Sequence, residues 1–153
     1  MAATDQNRER ALSERFTEAP NRIGAYRLAL GFPNSYEVGL SNLGFQWVSR
    51  LFNRVPDLSC ERFFHEEVEG EPSAVTFETG TPISEFGLLA WSLSWEMDIV
   101  NIVRTLTAAG IPLRREQRDE RHPLLLVGGD VARMNPAALS PFVDLFALGD
   151  GER

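Results

Sequence analysis

The stretch that decides the fold is Leu28-Ala29-Leu30-Gly31-Phe32-Pro33-Asn34-Ser35-Tyr36-Glu37-Val38-Gly39. It reads as a buried apolar strand, a sharp break at Pro33-Asn34, and a helix that opens near Gly39. Further on, Leu40, Leu43, Gly44, Trp47, Val48, Leu51, Phe52 and Val55 recur at helical spacing, which predicts one helix over 38–54 with an apolar stripe. In an open α/β sheet, ligands sit where strands end and helices begin, because backbone N–H groups there point into the crevice. Residues 33–39 are therefore expected on the rim of any pocket.

The pattern repeats outward from this unit. Apolar runs at 26–32, 58–64, 88–93, 124–127 and 143–148 read as strands. Ser94 is expected to cap a helix over 94–109, with Trp95, Ile99, Ile102, Val103 and Leu106 as its buried stripe. Gly110 ends it and Pro112 prevents its continuation. Asn135-Pro136 starts a short helix, with Pro136 suited to the first turn. Residues 66–73 read as an acidic loop and 74–78 as a short edge strand. Residues 1–19 are polar and read as a flexible arm, a frayed helix or a solvated tail ended by Pro20. Residues 20–153 then form one domain. Strands alternating with helices imply an α/β fold, a Rossmann-like or flavodoxin-like three-layer sandwich. Its five-stranded, mainly parallel sheet is expected in the order 2-1-3-4-5, with helices on both faces.

Composition narrows the chemistry. The chain has 153 residues, enough for one core. Its formal net charge of −7 argues against nucleic acid as a partner, because phosphate contacts need a basic surface. All 15 cationic residues are arginine, which removes Schiff-base and Walker-type lysine chemistry. The single cysteine, Cys60, excludes an internal disulfide and any multi-cysteine metal or iron–sulfur site within the chain. No apolar run approaches a membrane span and the start has no secretory apolar region, so a cytoplasmic location is expected.

Four segments should meet at the carboxyl edge of the sheet: 33–39, 92–96, 128–130 and 149–152. Two of them are glycine-rich, through Gly128-Gly129 and Gly149-Asp150-Gly151. Glycine there either permits a turn or lets the backbone lie close to a ligand. The acids Glu37, Glu96, Asp130, Asp150 and Glu152 share this rim. Such acids can bind Mg²⁺ or tune one another, but Glu37 and Glu96 read more simply as helix N-terminal charges. His65 and His122 form no ligand pair, and Cys60 lies inside a strand as a small core residue. No dinucleotide or P-loop fingerprint is present. A flavin carrier of the same fold would want a Ser/Thr-rich phosphate loop after the first strand, which is also missing.

The blocks FPNSYEVGLSNLG, LAWSLSWEMDIVN, GIPLRREQR, PLLLVGGDVARMNP and PFVDLFALGDGE, preceded by PNRIG at 20–24, resemble in order and spacing the N-terminal region of cobalamin-binding-domain radical SAM proteins. The resemblance runs from Pro20 to Glu152. It implies a Rossmann-like cobalamin domain that precedes a barrel carrying a C-x-x-x-C-x-x-C iron–sulfur motif and using S-adenosylmethionine. With one cysteine, this chain is expected to be the N-terminal domain alone, truncated before the barrel and not catalytic by itself. The parent enzyme would be a methyltransferase or a relative.

Cobalamin domains of the methionine synthase type read Asp-x-His-x-x-Gly after the first strand, Ser-x-Leu after the third and Gly-Gly after the fourth. By resemblance the matching positions are Asn34, Tyr36 and Gly39, then Ser92 with Ser94 in place of Leu, then Gly128 and Gly129. The glycines of the last strand end, Gly149 and Gly151, join this set. The histidine that would ligate cobalt is replaced by Tyr36, a poor ligand at its ordinary pKa of about 10. The resemblance therefore implies a corrinoid held without a histidine ligand, with Tyr36 either shielding the cobalt or closing the crevice by packing on Trp95 or a neighbour. The second reading is a degenerate docking module of the same fold that has lost the corrinoid. In both, the expected partner is a radical SAM catalytic domain, in cis or in trans.

Overall fold

The computed structural model describes residues 3–15 and 24–149. Strands β1 (Tyr26–Phe32), β2 (Leu58–Phe64), β5 (Leu88–Ser92), β6 (Leu124–Gly128) and β7 (Leu145–Ala147) form one sheet in the order β2-β1-β5-β6-β7. Every pairing in it is parallel. Counting only these five, the order is the expected 2-1-3-4-5. The interruption is a small antiparallel hairpin, β3 (Glu67–Val68) with β4 (Glu71–Pro72).

Side-chain alternation explains why the sheet is covered on both faces. Leu28, Leu30, Phe32, Cys60 and Phe64 point to one face and pack with Phe45. Ala29, Phe63, Leu89, Trp91, Leu125 and Val127 point to the other. Helix α3 (Leu43–Arg54) supplies Phe45 to the first layer, and Ala11 of α1 (Ala3–Ser13) packs against the same cluster. The second layer is closed by Leu106 of α4 (Ile99–Ala108), Val131 and Ala132 of α5 (Asp130–Met134) and Leu139 of α6 (Pro136–Leu139). Gly31 is dictated by ring packing. The Phe63 and Trp91 rings meet edge to face at 4.6 Å, and a Cβ on Gly31 would collide with the Phe63 ring and lie 2.7 Å from Trp91 Cε3.

Several expected elements are corrected. The single helix over 38–54 is two, α2 (Tyr36–Ser41) and α3. Asn42 separates them in an extended conformation, and its side chain accepts from Phe45 N at 2.9 Å, a strong N-cap. The helix expected from Ser94 begins instead with a 3₁₀ turn at Glu96–Asp98, and α4 follows. Its buried stripe is Ile99, Ile102, Thr105 and Leu106, whereas Trp95 and Val103 face solvent at 58% and 37% exposure. Trp95 precedes the helix, and Val103 sits on the flank of the stripe. The expected edge strand at 74–78 is reduced to one bridge, Val75 to Pro82. The acidic loop holds the hairpin, because Glu69 and Gly70 both take positive φ (55° and 88°), as a tight two-residue turn requires. Periodicity alone does not predict α5 (Asp130–Met134), a five-residue helix after Gly129. Among the described residues no helix is long and apolar enough to cross a membrane.

Candidate functional site

The sheet's two faces are unequally covered. On the α3 side a cavity of about 550 Å³ opens over the carboxyl halves of β5, β6 and β7. Its floor is Leu30, Ala90, Leu126 and Ala147, one residue from each of four neighbouring strands. Its wall is one face of α3, formed by Trp47, Val48, Leu51 and Phe52. The residues that were expected to seal α3 onto the sheet therefore line a space.

The mouth is polar and built from strand ends. Ser92 ends β5 and Ser94 follows it, Gly128 ends β6 and Gly129 follows it, and Gly149 lies just beyond β7. Asn42, between α2 and α3, reaches across with Nδ2 donating to Ser94 Oγ at 3.4 Å. Asp130 and Arg133 complete the opening and pair at 3.2 Å. Two glycines have distinct reasons. Gly129 takes φ 102°, and a Cβ there would run into the Leu93 carbonyl. Gly128 keeps the floor low, since a Cβ would sit 3.3 Å from that of Ala147.

Of the residues singled out from sequence, Ser92, Ser94, Gly128, Gly129 and Gly149 thus come together on one cavity. Asn34, Tyr36 and Gly39 do not join them. Gly151, with Asp150 and Glu152, lies outside the described residues. Asn34 turns to the opposite side of the sheet's rim, where its Nδ2 donates to the buried Asp98 at 3.1 Å. Nearby, Asn101 Nδ2 donates to the Pro33 carbonyl at 2.9 Å, and His65 Nδ1 lies 3.0 Å from Thr105 Oγ1. These contacts fasten α4 to the ends of β1 and β2. Burial pushes the Asp98 carboxyl up from its ordinary value, and burial, then Arg104, pushes the His65 imidazole down. Gly39 is a packing glycine, because a Cβ would lie 2.6 Å from the Phe64 ring.

Tyr36 is committed elsewhere. Its ring stacks on Phe77 at 5.0 Å and meets Phe64 edge-on at 5.4 Å. Its hydroxyl donates to Glu14 Oε1 at 2.9 Å. Burial, then the Glu14 acceptor, pushes the phenol up to about 12. The neighbours it packs on are these phenylalanines and not Trp95. Cys60 is a buried core thiol, pushed up by desolvation. No group of three His, Cys, Asp or Glu among the described residues could hold a metal ion.

Sequence reasoning missed Asn42, Arg133, Ala147 and the role of the α3 wall. The available signal was the accumulation of small residues on adjacent strands, Ala90, Gly128 and Ala147, at positions where a closed core would carry large ones.

Residues 44–153 match the family described as radical SAM proteins, N-terminal. The match covers α3 from its second residue and four of the five sheet strands, along with every strand-end segment at the cavity mouth. No curated protein and no solved structure matches the chain. With more than two thirds of its length matched, the chain belongs to the family of N-terminal domains of radical SAM proteins.

Proposed function

We propose that this domain binds cobalamin for a radical SAM enzyme, taking the nucleotide tail into the cavity and leaving the corrin ring at the carboxyl edge of the sheet. The observation that carries the reading is the convergence of Ser92, Ser94, Gly128, Gly129 and Gly149 on one apolar space of about 550 Å³. That volume is within the usual range for small-molecule sites, roughly 300–1,000 Å³.

The residues fit such a tail. The flat floor of Ala90, Gly128 and Ala147 and the aromatic and aliphatic wall of α3 suit a planar heterocycle. The Ser92 and Ser94 hydroxyls and Asn42 stand at the mouth, where a ribose needs hydrogen-bond partners. Arg133 offers a guanidinium for a phosphodiester. A bound corrinoid supplies a cobalt centre for group transfer, with the protein providing binding and orientation. This chain offers that cobalt no nitrogen from the strand-one loop. Tyr36 is turned away and its hydroxyl is occupied by Glu14, and neither histidine lines the cavity. The iron–sulfur cluster and S-adenosylmethionine belong, on this reading, to the catalytic domain that the corrinoid faces.

The test is retention of hydroxocobalamin after desalting, read by visible absorption, for wild type and for Ala147→Phe. Ala147 lines the cavity but is exposed on a strand, so phenylalanine fills the space without entering the core. Wild type is expected to retain the corrinoid and the variant to lose it. If wild type retains none, the cavity is a docking surface and the cobalamin reading fails.

A further inference from the structure

We propose that α1 is a releasable strap, latched by charge over the Tyr36 side of the domain and able to detach while the α/β body stays folded. Among its described side chains, the attachment is chiefly polar. Arg10 NH2 pairs with Glu37 at 2.6 Å and its NH1 with Glu66 at 3.4 Å, and the guanidinium lies over the Tyr36 ring at 4.7 Å. One helical turn later, Glu14 receives Arg62 NH2 on one oxygen at 2.8 Å and the Tyr36 hydroxyl on the other at 2.9 Å. The helix and the residue just after it thus present a positive and a negative group to an acidic and a basic spot on the body. Ala11 packs against the core cluster, while Leu12 is 80% exposed.

Two features make the latch reversible. An isolated helix of this length is marginal in water, so α1 holds its shape through docking. The body beneath it keeps its own charge balance without Glu14. Arg62 N and Nε each donate to a Glu78 oxygen at 2.6 Å, and these contacts involve no atom of α1. Release would therefore leave a buried pair intact and expose a cleft of Tyr36, Phe77 and Arg62, whose guanidinium lies 5.0 Å from the Phe77 ring. The release is felt near the rim, because Tyr36 opens α2 directly after the loop that ends β1. Glu66, which Arg10 holds, also accepts the Tyr36 backbone N–H at 2.7 Å.

Trypsin reads the latch, since Arg10 lies in it, Arg15 stands just beyond Glu14, and Arg62 and Arg104 lie in the body. Cleavage tracks the open population when opening is fast, and a charged hydrogen bond lost from the latch corresponds to about tenfold. At low ionic strength Glu14→Gln is expected to speed cleavage after Arg10 and Arg15 by about tenfold in the full chain. Raising salt from about 0.05 to about 0.5 M, which shortens the screening length severalfold and acts on the more exposed Arg10–Glu37 pair, should speed wild-type cleavage in the same direction but by less. Near-UV CD and resistance at the body arginines should not change. Arg10→Gln, read at Arg15, gives an independent arm that leaves the Glu14 contacts in place. The proposal is overturned if wild-type cleavage at Arg10 and Arg15 is indifferent to salt and to both variants, or if it advances only together with cleavage at Arg62 and Arg104. It is equally overturned if loosening α1 by either variant abolishes the near-UV signal.

Discussion

At Gly31 a single hydrogen in place of a methyl lets two aromatic rings meet across β1. Gly31→Ala pushes a Cβ into Phe63 and Trp91, and overpacking of this kind costs about 1–3 kcal/mol. Urea unfolding should show that loss with an unchanged m-value. Asp98 gives a second expectation, in pH dependence. Its carboxyl is buried and raised above its ordinary value, with Asn34 donating to it and His65 nearby. The folded state therefore binds a proton that the unfolded chain has already released. By linkage, the Asp98 contribution falls as pH rises from the ordinary Asp range through the raised folded value. Asp98→Asn, which keeps an acceptor for Asn34, should flatten that slope and raise Tm at neutral pH; a Tm lowered at every pH would contradict the assignment. Little of this was legible beforehand. Their place after a strand puts Asn34 and Tyr36 on the rim, but which side of the rim a side chain takes depends on its partners. Those partners, Asp98 and Glu14, lie 64 and 22 residues away.

Among the elements, β1 and β2 match their expected limits residue for residue, because breaks flank them, Pro33 after β1 and Pro56 before β2, and apolar residues cluster at their carboxyl ends. The helices fared worse where capping competes with periodicity. A stripe running through Asn42 suggested one helix, yet Asn is a better N-cap than helix-interior residue, and it divides α2 from α3. Asn42→Ala should cost about 1 kcal/mol through loss of the cap to Phe45. It should also remove the bridge to Ser94 and loosen one side of the cavity mouth. Thermal unfolding alongside cobalamin affinity separates the two effects, and a variant as stable as wild type would refute the capping role. In α4 the apolar residues were visible but their facing was not. Trp95 and Val103 belong to no buried stripe, since Thr105 occupies the place that a hydrophobicity-weighted reading assigns to a larger side chain.

The whole molecule shows why the fold was legible and the site only half so. Strand and helix alternation prescribes a parallel sheet, and few orders are then open to five strands. How many helices share each face is a matter of packing. Here α4, α5 and α6 close one face over β5 and β6, while α3 leaves Leu124 of β6 and Leu145 of β7 at 52% and 46% exposure on the other face. The cavity is a consequence of that asymmetry, and the small strand-end residues shape it. The central claim is that this cavity takes the nucleotide tail of a corrinoid. It is tested most directly by titrating the full chain, under identical conditions, with cobalamin and with cobinamide, which has the corrin ring but lacks the tail. Binding through the cavity predicts that cobalamin binds at least about a hundredfold more tightly, roughly 2.7 kcal/mol, with the difference abolished in Ala147→Phe. Equal affinity for the two corrinoids, or a difference that survives Ala147→Phe, would contradict it.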